Sequence, residues 1–586
     1  MLLFLLSLIY LVFAHLFLPN LGGVLLHPRE YLIWIALLGI LSLSFIRVLK
    51  RGELFLPEGR VAFLLFILLS VSSSIFNPPL SKELFLVQSF HLLALYFIWL
   101  SLNQFRMNRK EKDRVLFLIF WSALIEALIG LMQFFRLYRF VPVTPLEGEG
   151  FVWGAFQQKN LFGSFIAVGL VISLHLISSP LLRSRRFLIY ALMGAIPILG
   201  ATIVFSNSRT AWIGLLIGSL TLLLLRFKVY KSLKGITLIW GLLVAAGVLL
   251  GVYLYGGSEE YKKAVLERES SNAQRILMLK TSLKMFLEKP VTGFGFANFP
   301  SLYMHHQAEV LEEEGKLRRF AGGFVSHPHN EIANIAVQSG ILGLTGLLLV
   351  VTSFLRVLFK IGPQKAGLYV ALLTPIVVHS LLEYPLELSV VHFFTFTLFL
   401  SLITSHTSKR VTFKLGKQVK AILYTAVGVF FLFSTTWTLR TFLDYMRMTL
   451  FAVEIERGRF RPELLEGAMK NVYLKLWAER MYMVERAKRA VENRDTEFLK
   501  KFVPWSGSYR KKLPLEEVYY MEAVALMTLG REYKNLGLMD ESMKVVEEGV
   551  RLYPNSERLR SLKGIIFREA VEVLADQLRS LKERRP

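Results

Sequence analysis

The segment 326–331, which reads SHPHNE, carries the side chains best suited to moving a proton. A histidine can accept a proton near neutral pH, and we expect a pKa within about one unit of the ordinary ~6.5 for such a base. Asn330 could orient the histidine or bind a sugar hydroxyl. The spacing leaves His327 and His329 as rival candidates, and we favour His329 for reasons given below.

The same two histidines could instead be metal ligands, because they lie two residues apart. The chain has no cysteine, and its single aspartate before Asp444 is Asp113, so an Asp-x-Asp motif that could hold a divalent cation is missing from this part of the sequence. Glu331 and Glu383 keep a glutamate-based metal site open. We predict a site that uses no metal and no other cofactor.

Two arginines could hold a phosphate. Arg209 lies in the segment 206–212, SNSRTAW, at a turn between two apolar runs, and a guanidinium can bind phosphate oxygens with two parallel hydrogen bonds. Arg275 is predicted in the first turn of an amphipathic helix that Pro290 ends, where the positive end of the helix favours an anion. The alternatives are a membrane anchor for Arg209 and an ordinary solvated side chain for Arg275.

Two further segments are polar or glycine-rich. Gln158 and Asn160, in the segment 157–160 (QQKN), could line a sugar site, although capping of a helix by Asn160 explains the segment equally well. The segment 293–296 (GFGF) predicts a tight bend and is not a dinucleotide-binding fingerprint.

The elements that must position these residues are membrane helices. Of the 586 residues, 54% are apolar and only 19% are charged, and the apolar residues fall in runs of about 17 to 23, the length that a helix needs to cross a bilayer. We predict an all-α polytopic helical membrane protein with about thirteen spans: 2–18, 31–48, 61–76, 84–103, 115–135, 162–180, 187–205, 210–225, 236–255, 336–355, 366–382, 387–404 and 419–438. The first run lacks the basic segment and cleavage site of a signal peptide and is predicted to be retained.

The basic residues orient these spans. A net charge of +25 would suggest nucleic acid in a soluble protein, but Lys and Arg cluster in alternate short gaps, about 24 in one set and about 6 in the other, which indicates a lipid bilayer and excludes nucleic acid as the partner. The positive-inside rule places the N-terminus in the cytoplasm. The loop at 256–335 and the tail after 440 are then extracytoplasmic, where a substrate must arrive already activated on a carrier.

After residue 440 the sequence becomes charged, with a 3.6-residue helical period. The order of small, aromatic and helix-ending residues predicts one 34-residue tetratricopeptide repeat at 523–556, with degenerate repeats at 459–502 and 557–582 that cover its apolar faces. We therefore predict two domains, a transmembrane domain at 1–440 and a helical domain at 441–586. The helical domain is either a cap that stabilises the enzyme or a docking surface for an acceptor or partner.

Taken in order, these motifs resemble the O-antigen ligase and polymerase superfamily of bacterial membrane glycosyltransferases. The resemblance covers roughly residues 150 to 400, including the large outer loop between two late spans. It is carried by the segments GAFQQKN at 154–160, SRTAW at 208–212, Arg275 with PVTGFG at 290–295, and HPHN at 327–330 with Gly340 and Gly343.

The resemblance implies a GT-C-like fold and transfer of a glycan from a polyprenyl diphosphate, such as undecaprenyl diphosphate, to an acceptor hydroxyl on the periplasmic face of the bacterial inner membrane. It implies inversion at the anomeric carbon without a metal. Arg209 and Arg275 match the family's diphosphate-binding arginines. His329, which Asn directly follows, best matches the family's essential histidine, with His327 as the rival.

Members of this superfamily differ in their acceptors. These are lipid A-core in ligases of lipopolysaccharide biosynthesis, a Ser or Thr of a protein in O-oligosaccharyltransferases, and the growing glycan in polymerases. We favour the ligase function. The protein O-oligosaccharyltransferase and the polymerase are the enzymatic alternatives, and a transporter of lipid-linked glycans or a scaffold is the non-enzymatic one.

Overall fold

The computed structural model describes residues 1–22, 27–137, 152–180, 185–256 and 259–583, and these residues form an almost entirely helical molecule. The helices up to the large loop are α1 Leu2–Leu11, α2 Pro28–Arg51, α3 Arg60–Phe76, α4 Lys82–Asn103, α5 Arg109–Phe134, α6 Lys159–Leu176, α7 Arg186–Phe205, α8 Arg209–Leu225, α9 Phe227–Ser232 and α10 Lys234–Tyr255. The loop and the later membrane helices are α11 Glu259–Glu288, α12 Phe299–Glu313, α13 Glu331–Ile361, α14 Pro363–Ser380, α15 Pro385–Leu388, α16 Val390–Thr404 and α17 Lys417–Glu456. The tail contains α18 Glu466–Lys470, α19 Lys475–Glu492, α20 Thr496–Lys512, α21 Glu516–Glu532, α22 Leu536–Leu552 and α23 Glu557–Glu583.

Each of the thirteen predicted spans coincides with a helix, and the all-α polytopic membrane fold is confirmed. By length and composition, eight helices among the described residues can cross a membrane, namely α2, α4, α5, α6, α7, α10, α13 and α17. Four shorter apolar helices accompany them, at Leu2–His15, α3, α8 and α16.

The first span is shorter than predicted. Helix α1 has only ten residues, about 15 Å at 1.5 Å per residue, which is half the thickness of a bilayer core. The helix ends at Val12, whose backbone leaves the helical region, and just beyond it the His15 ring contacts the Tyr10 carbonyl oxygen at 2.8 Å and Glu126 of α5 at 2.7 Å. The predicted run 2–18 is therefore a half-span helix followed by a turn that is tied to α5.

The basic gaps meet at one end of the helical bundle. Two short strands, β1 Glu53–Leu56 and β2 Lys409–Thr412, pair antiparallel and join the gap after α2 to the gap after α16. Lys112 from a third basic gap approaches the Ser405 hydroxyl at 3.0 Å. We call this the basic end. These contacts agree with a common side of the membrane for the three gaps, and which side it is stays a prediction. Arg139 and Arg183, which belong to the predicted gaps, lie outside the described residues.

The large loop and the tail share one hydrophobic core. Phe299 and Tyr303 of α12 belong to the same buried cluster as Tyr519 and Ala523 of α21. Arg551 of α22 also contacts an α12 carboxylate, with 2.7 Å between Arg551 Nε and Glu312 Oε1. The tail therefore buttresses the loop, which supports a stabilising role and leaves the docking function untested.

Within the tail, the predicted repeat at 523–556 falls on α21 and α22, which pack together and against α20 and α23. Small residues stand where these helices approach each other: a Cβ on Gly530 would lie 3.1 Å from Met539, and a Cβ on Gly549 would lie 3.1 Å from Tyr519. The predicted domain boundary at 440 falls inside α17, which is helical without interruption to Glu456.

The bend at 293–296 also has a partner. The Phe294 and Gly295 amides donate to the Val337 and Gln338 carbonyl oxygens at 2.9 and 3.0 Å. These acceptors are freed because α13 leaves helical dihedrals at Gly340, where φ is +58° and a Cβ would lie 2.6 Å from the Pro290 carbonyl oxygen. The predicted tight bend therefore fastens the loop to the start of α13.

Candidate functional site

The carboxylate of Glu383, in the turn between α14 and α15, collects several of the predicted site residues. The side-chain amides of Gln158 and Asn160 both donate hydrogen bonds to it. Arg275 of α11 contacts it with 3.3 Å between a terminal guanidinium nitrogen and Oε1, and His379 of α14 donates from Nε2 at 3.4 Å. We call this group the Glu383 cluster.

Glu383 is buried yet ionised. Burial alone would raise the pKa of its carboxyl, but the hydrogen bond and charge of His379, the charge of His329 and the hydrogen bond from Gln158 together lower that pKa to about 2. Hydrogen bonds to the charged form of an acid have this effect because they replace the lost hydration. The Glu383 carboxylate therefore carries a fixed negative charge at any pH near neutral.

The two histidines occupy different environments. His329 adopts a left-handed backbone with φ of +53°, and its backbone N–H donates to His327 Nδ1 at 3.0 Å. The His327 ring is buried and stacks on Tyr384 at 4.3 Å between centroids, whereas the half-buried His329 ring meets Tyr384 edge-on at 5.2 Å. Because Nδ1 of His327 accepts a hydrogen bond, its Nε2 carries the proton in the neutral ring.

The pKa of His329 departs from the sequence expectation. Burial lowers it to about 4, against the opposing charge of Glu383, while the charges of His327, Arg275 and His379 also lower it. The expectation of a value within a unit of 6.5 is therefore wrong, because much of the ring is removed from water. The imidazole is neutral at pH 7 and can accept a proton.

Arg209 is the first residue of α8, and Ser208 caps that helix by accepting the Ala211 N–H at 3.3 Å. The Arg209 guanidinium donates to Asn272 Oδ1 on α11 at 2.6 Å. Asn272 and Arg275 are three residues apart and share a face of α11. The two predicted phosphate-binding arginines therefore approach the same stretch of this helix.

The predicted position of Arg275 within α11 is wrong. The helix begins at Glu259 and has thirty residues, so Arg275 lies in its second half and the helix dipole offers nothing to an anion there. The segment before Asn272 contains neither Gly nor Pro and continues the helix backward. The amphipathic character does hold, since Ile276, Leu279 and Leu283 are exposed along one face.

Two predicted sugar-binding amides already have structural roles. Asn330 caps α13, accepting the Ala333 N–H at 2.9 Å and donating to the Leu381 carbonyl oxygen at 2.9 Å. The cap of α6 is Gln158, which accepts the Leu161 N–H at 2.7 Å, and not Asn160 as the capping alternative assumed. Both residues fix helix starts beside the site.

Sequence reasoning gave Glu383 only a possible metal role and missed His379 and Tyr384 entirely. A signal existed, because the predicted spans 366–382 and 387–404 leave a four-residue turn, Glu383 to Leu386. An ionisable residue at such a membrane boundary is a candidate functional residue.

One group among the described residues could hold a metal ion. Donor atoms of His327, Glu331 and Glu387 all lie within 4.8 Å of one another, and His327 Nε2 is 3.5 Å from Glu331 Oε2. The hydrogen bond at His327 Nδ1 argues against a metal, since Nε2 then carries a proton and offers no lone pair. This tautomer of His327 does not suit a metal centre, and metal independence stays a prediction.

Comparison with known proteins finds two family models that match parts of the chain. Residues 194–348 match the family model for O-antigen ligase, and residues 368–560 match the model for the C-terminal part of a virulence factor membrane-bound polymerase. The first match contains Arg209, Arg275 and His329, and the second contains Glu383 and runs without a break into the tail. The resemblance to the O-antigen ligase and polymerase superfamily that the motifs indicated is thereby confirmed.

Individual relatives agree with this family. The chain is 24% identical over 382 residues to the general O-oligosaccharyltransferase of Acinetobacter baylyi, covering 61% of this chain and 62% of the relative. It is 30% identical over 170 residues to a protein of Rickettsia typhi named as a polysaccharide ligase, covering 28% and 40%. A Rickettsia conorii protein of the same description is 29% identical over 154 residues, covering 26% and 35%. The chain thus spans less than two thirds of the length of these relatives.

Proposed function

We propose that this protein is a membrane glycosyltransferase that moves a glycan from undecaprenyl diphosphate to an acceptor hydroxyl, and that it acts as an O-antigen ligase on lipid A-core. The observation that carries the proposal is the convergence of Arg275, Gln158 and Asn160 on Glu383, next to a neutral His329. The family models and the ligase and oligosaccharyltransferase relatives support it.

In this mechanism the arginines act on the leaving group. Breaking the bond between the anomeric carbon and the phosphate oxygen leaves negative charge on the diphosphate, and preorganised cations stabilise that charge in the transition state. Arg275 and Arg209, which approach each other along α11, supply the two positive charges in place of a metal cation.

His329 acts on the acceptor. Its neutral imidazole takes the proton of the acceptor hydroxyl while the hydroxyl oxygen bonds to the anomeric carbon from the side opposite the departing diphosphate, so the configuration inverts. His327 is a positioning residue, because its Nδ1 holds the His329 amide and its own ring is buried against Tyr384. This assignment favours His329 over His327 as the base.

The second candidate is a protein O-oligosaccharyltransferase. The alignment with the Acinetobacter oligosaccharyltransferase extends over 382 residues, more than twice the length of the alignments with the ligase relatives. The chemistry of the two functions is the same, and they differ in whether the accepting hydroxyl belongs to a sugar of lipid A-core or to a Ser or Thr of a protein.

The deciding experiment supplies purified protein with a polyprenyl-diphosphate-linked glycan and either lipid A-core or an acceptor protein. We expect glycosylated lipid A-core and release of polyprenyl diphosphate. Glycosylated protein alone would select the oligosaccharyltransferase, elongated lipid-linked glycan alone would select the polymerase, and binding of the donor without turnover would reject an enzyme.

The proposed location is the inner membrane, with Glu383 and the tail on the periplasmic side and the basic end in the cytoplasm. A reporter fused after Pro586 should be periplasmic, while one inserted next to Lys110 should be cytoplasmic. Detection of both reporters on the same side would reject this orientation.

A further inference from the structure

The Glu383 carboxylate is contacted from three parts of the chain: the start of α6, the loop helix α11 and its own helix α14. It also interacts through charge with His329. We infer that Glu383 is the positioning residue of the transfer site, which aims Arg275 at the diphosphate and acts on His329 through its charge. The inference rests on the proposed function and names a residue to which that function assigns no chemical step.

The contact with Arg275 suits a positioning role. Glu383 touches one terminal nitrogen of the guanidinium, and among the described residues Arg275 makes no other ion pair. The Arg275 side chain is 24% exposed, whereas the Glu383 side chain is 6% exposed. The carboxylate therefore lies behind the guanidinium and leaves the solvent-facing N–H groups of its planar fork for an incoming phosphate.

The carboxylate is itself held firmly. Beyond His379, a chain of buried side chains continues through Ser164 and His392 to Ser389, with consecutive contacts of 2.8, 3.0 and 3.1 Å. Supporting hydrogen bonds of this kind fix the orientation of the groups that contact a ligand. Gln158 adds rigidity because the same amide caps α6.

The effect on His329 is electrostatic. The charged groups that act on this imidazole are Glu383, His327, Arg275 and His379, and Glu383 is the one that favours the protonated form. The phenol of Tyr384 also faces the ring, edge-on at 5.2 Å. Replacing Glu383 with glutamine removes that stabilisation, so the pKa of His329 falls further. Because the base works when neutral, the acid side of the activity profile moves to lower pH.

The test compares Glu383→Gln with Glu387→Gln, which removes a carboxyl four residues along that contacts neither Arg275 nor Gln158. For Glu383→Gln we expect kcat/KM for the lipid-linked donor to fall by about 10- to 100-fold, and the acid limb of the pH profile to shift by about one unit to lower pH. Glu387→Gln should leave the acid limb within about 0.3 units of the wild type, because its carboxyl is not among the groups acting on His329. An unshifted acid limb in Glu383→Gln overturns the inference.

A second readout does not depend on transfer. Diethylpyrocarbonate modifies neutral imidazole, so the pH at which His329 is half-modified, read by peptide mass spectrometry, reports its pKa directly. We expect that midpoint to fall in Glu383→Gln and to stay in place in Glu387→Gln. A midpoint that falls in a protein with no transferase activity would support the role of Glu383 while rejecting the proposed function.

Glu383→Asp covers the case in which the glutamine variant fails to fold. The shorter side chain keeps the charge and pulls it away from Arg275, so we expect the His329 midpoint to stay near the wild-type value while kcat/KM falls. Wild-type kcat/KM in Glu383→Asp would show that Arg275 needs no positioning by this residue and would overturn that half of the inference.

Discussion

Asp113 and Glu383 are two of the buried carboxylates that have a histidine partner, and their surroundings differ. Asp113, at the basic end, contacts His175 Nε2 at 3.2 Å and accepts a hydrogen bond from Ser179. His175 Nδ1 in turn accepts from Arg226 at 2.9 Å. We call these four residues the Asp113 network. Each lies on a helix or just after one, and their polar groups hydrogen-bond to one another.

Each network contains a partly exposed arginine, Arg226 or Arg275, but the Glu383 network also adjoins a candidate base. Glu383 contacts Arg275 and lies beside His329, whose backbone is in the left-handed region and whose ring is half-buried. Backbone conformations of this kind cost free energy and persist where the surrounding structure holds them, often at functional sites. A histidine next to a carboxylate therefore indicates a functional site more strongly when the network adjoins a strained backbone and a half-buried base.

The largest expected effect of a substitution in or beside the Glu383 network is at His329. His329→Ala should lower the rate of transfer by about 10²- to 10⁴-fold, the range for loss of a general base, while donor binding persists through the arginines. The measurement is turnover in single-turnover conditions beside equilibrium binding of the lipid-linked donor.

His327→Ala is the companion variant. Its loss should be smaller, because it frees the His329 amide without removing the base. If His327→Ala abolishes turnover and His329→Ala does not, the base lies two residues upstream, and normal turnover in both variants would reject a histidine base.

The arginines come next. Arg209→Ala and Arg275→Ala should each raise the barrier to transfer by ~2–4 kcal/mol, the cost of losing one preorganised electrostatic group. Lysine at either position should restore activity only in part, because an ammonium cannot reproduce the planar fork. The control is Arg226→Lys in the Asp113 network. Near-wild-type kcat/KM in both alanine variants would show that these arginines do not bind the diphosphate.

The pH dependence is a milder test. His329 must be neutral to accept a proton, and burial sets its pKa at about 4, so activity should hold from neutral pH down to about pH 5 and fall tenfold per unit below about pH 4. The profile of kcat/KM against pH in a stable detergent measures this. An acid limb centred near 6.5 would mean that the ring is solvated in the working enzyme.

A substitution in the Asp113 network should change the stability of the protein and not its turnover. Asp113→Asn leaves His175 without its charged partner in a buried site, and we expect a loss of about 1–3 kcal/mol in the free energy of unfolding. Transfer by the folded fraction should change less than about twofold, since Asp113 is far along the chain and at the basic end. Thermal unfolding and turnover per folded molecule separate the two effects, and a selective loss of turnover would contradict the comparison.

The smallest expected effect is that of a chelator. Transfer should be unchanged by EDTA, because two arginines take the place of a cation at the diphosphate. Loss of activity with EDTA and recovery with magnesium or manganese would instead point to His327, Glu331 and Glu387 as ligands.

The sequence predicted the helices well because a bilayer imposes a simple length rule on apolar segments. It failed at the ends of helices, where side chains from distant parts of the chain decide the outcome. Helix α1 stops early, at Val12, and just beyond it His15 contacts Glu126, 111 residues away. Helix α11 starts early because a charged segment without Gly or Pro continues it backward.

The site was predicted in its members and not in its centre. Each arginine, histidine and amide could be recognised by its chemistry, but the residue that holds Gln158, Asn160 and Arg275 together is a single glutamate more than 100 residues further on. Long-range hydrogen bonds leave no periodic trace in a sequence. The burial that lowers the pKa of His329 was invisible for the same reason.

Helix α17 links the membrane to the tail as one rod. Its forty residues extend about 60 Å at 1.5 Å per residue, and its first half is largely exposed while Tyr445, Met448 and Phe451 in its second half are buried. A continuous helix fixes the rotation of one half relative to the other, which a flexible linker would not. Each residue inserted near Phe433 would turn the two halves by about 100° relative to each other, whereas seven residues would almost restore the angle, so the length of this helix sets the direction in which the tail faces.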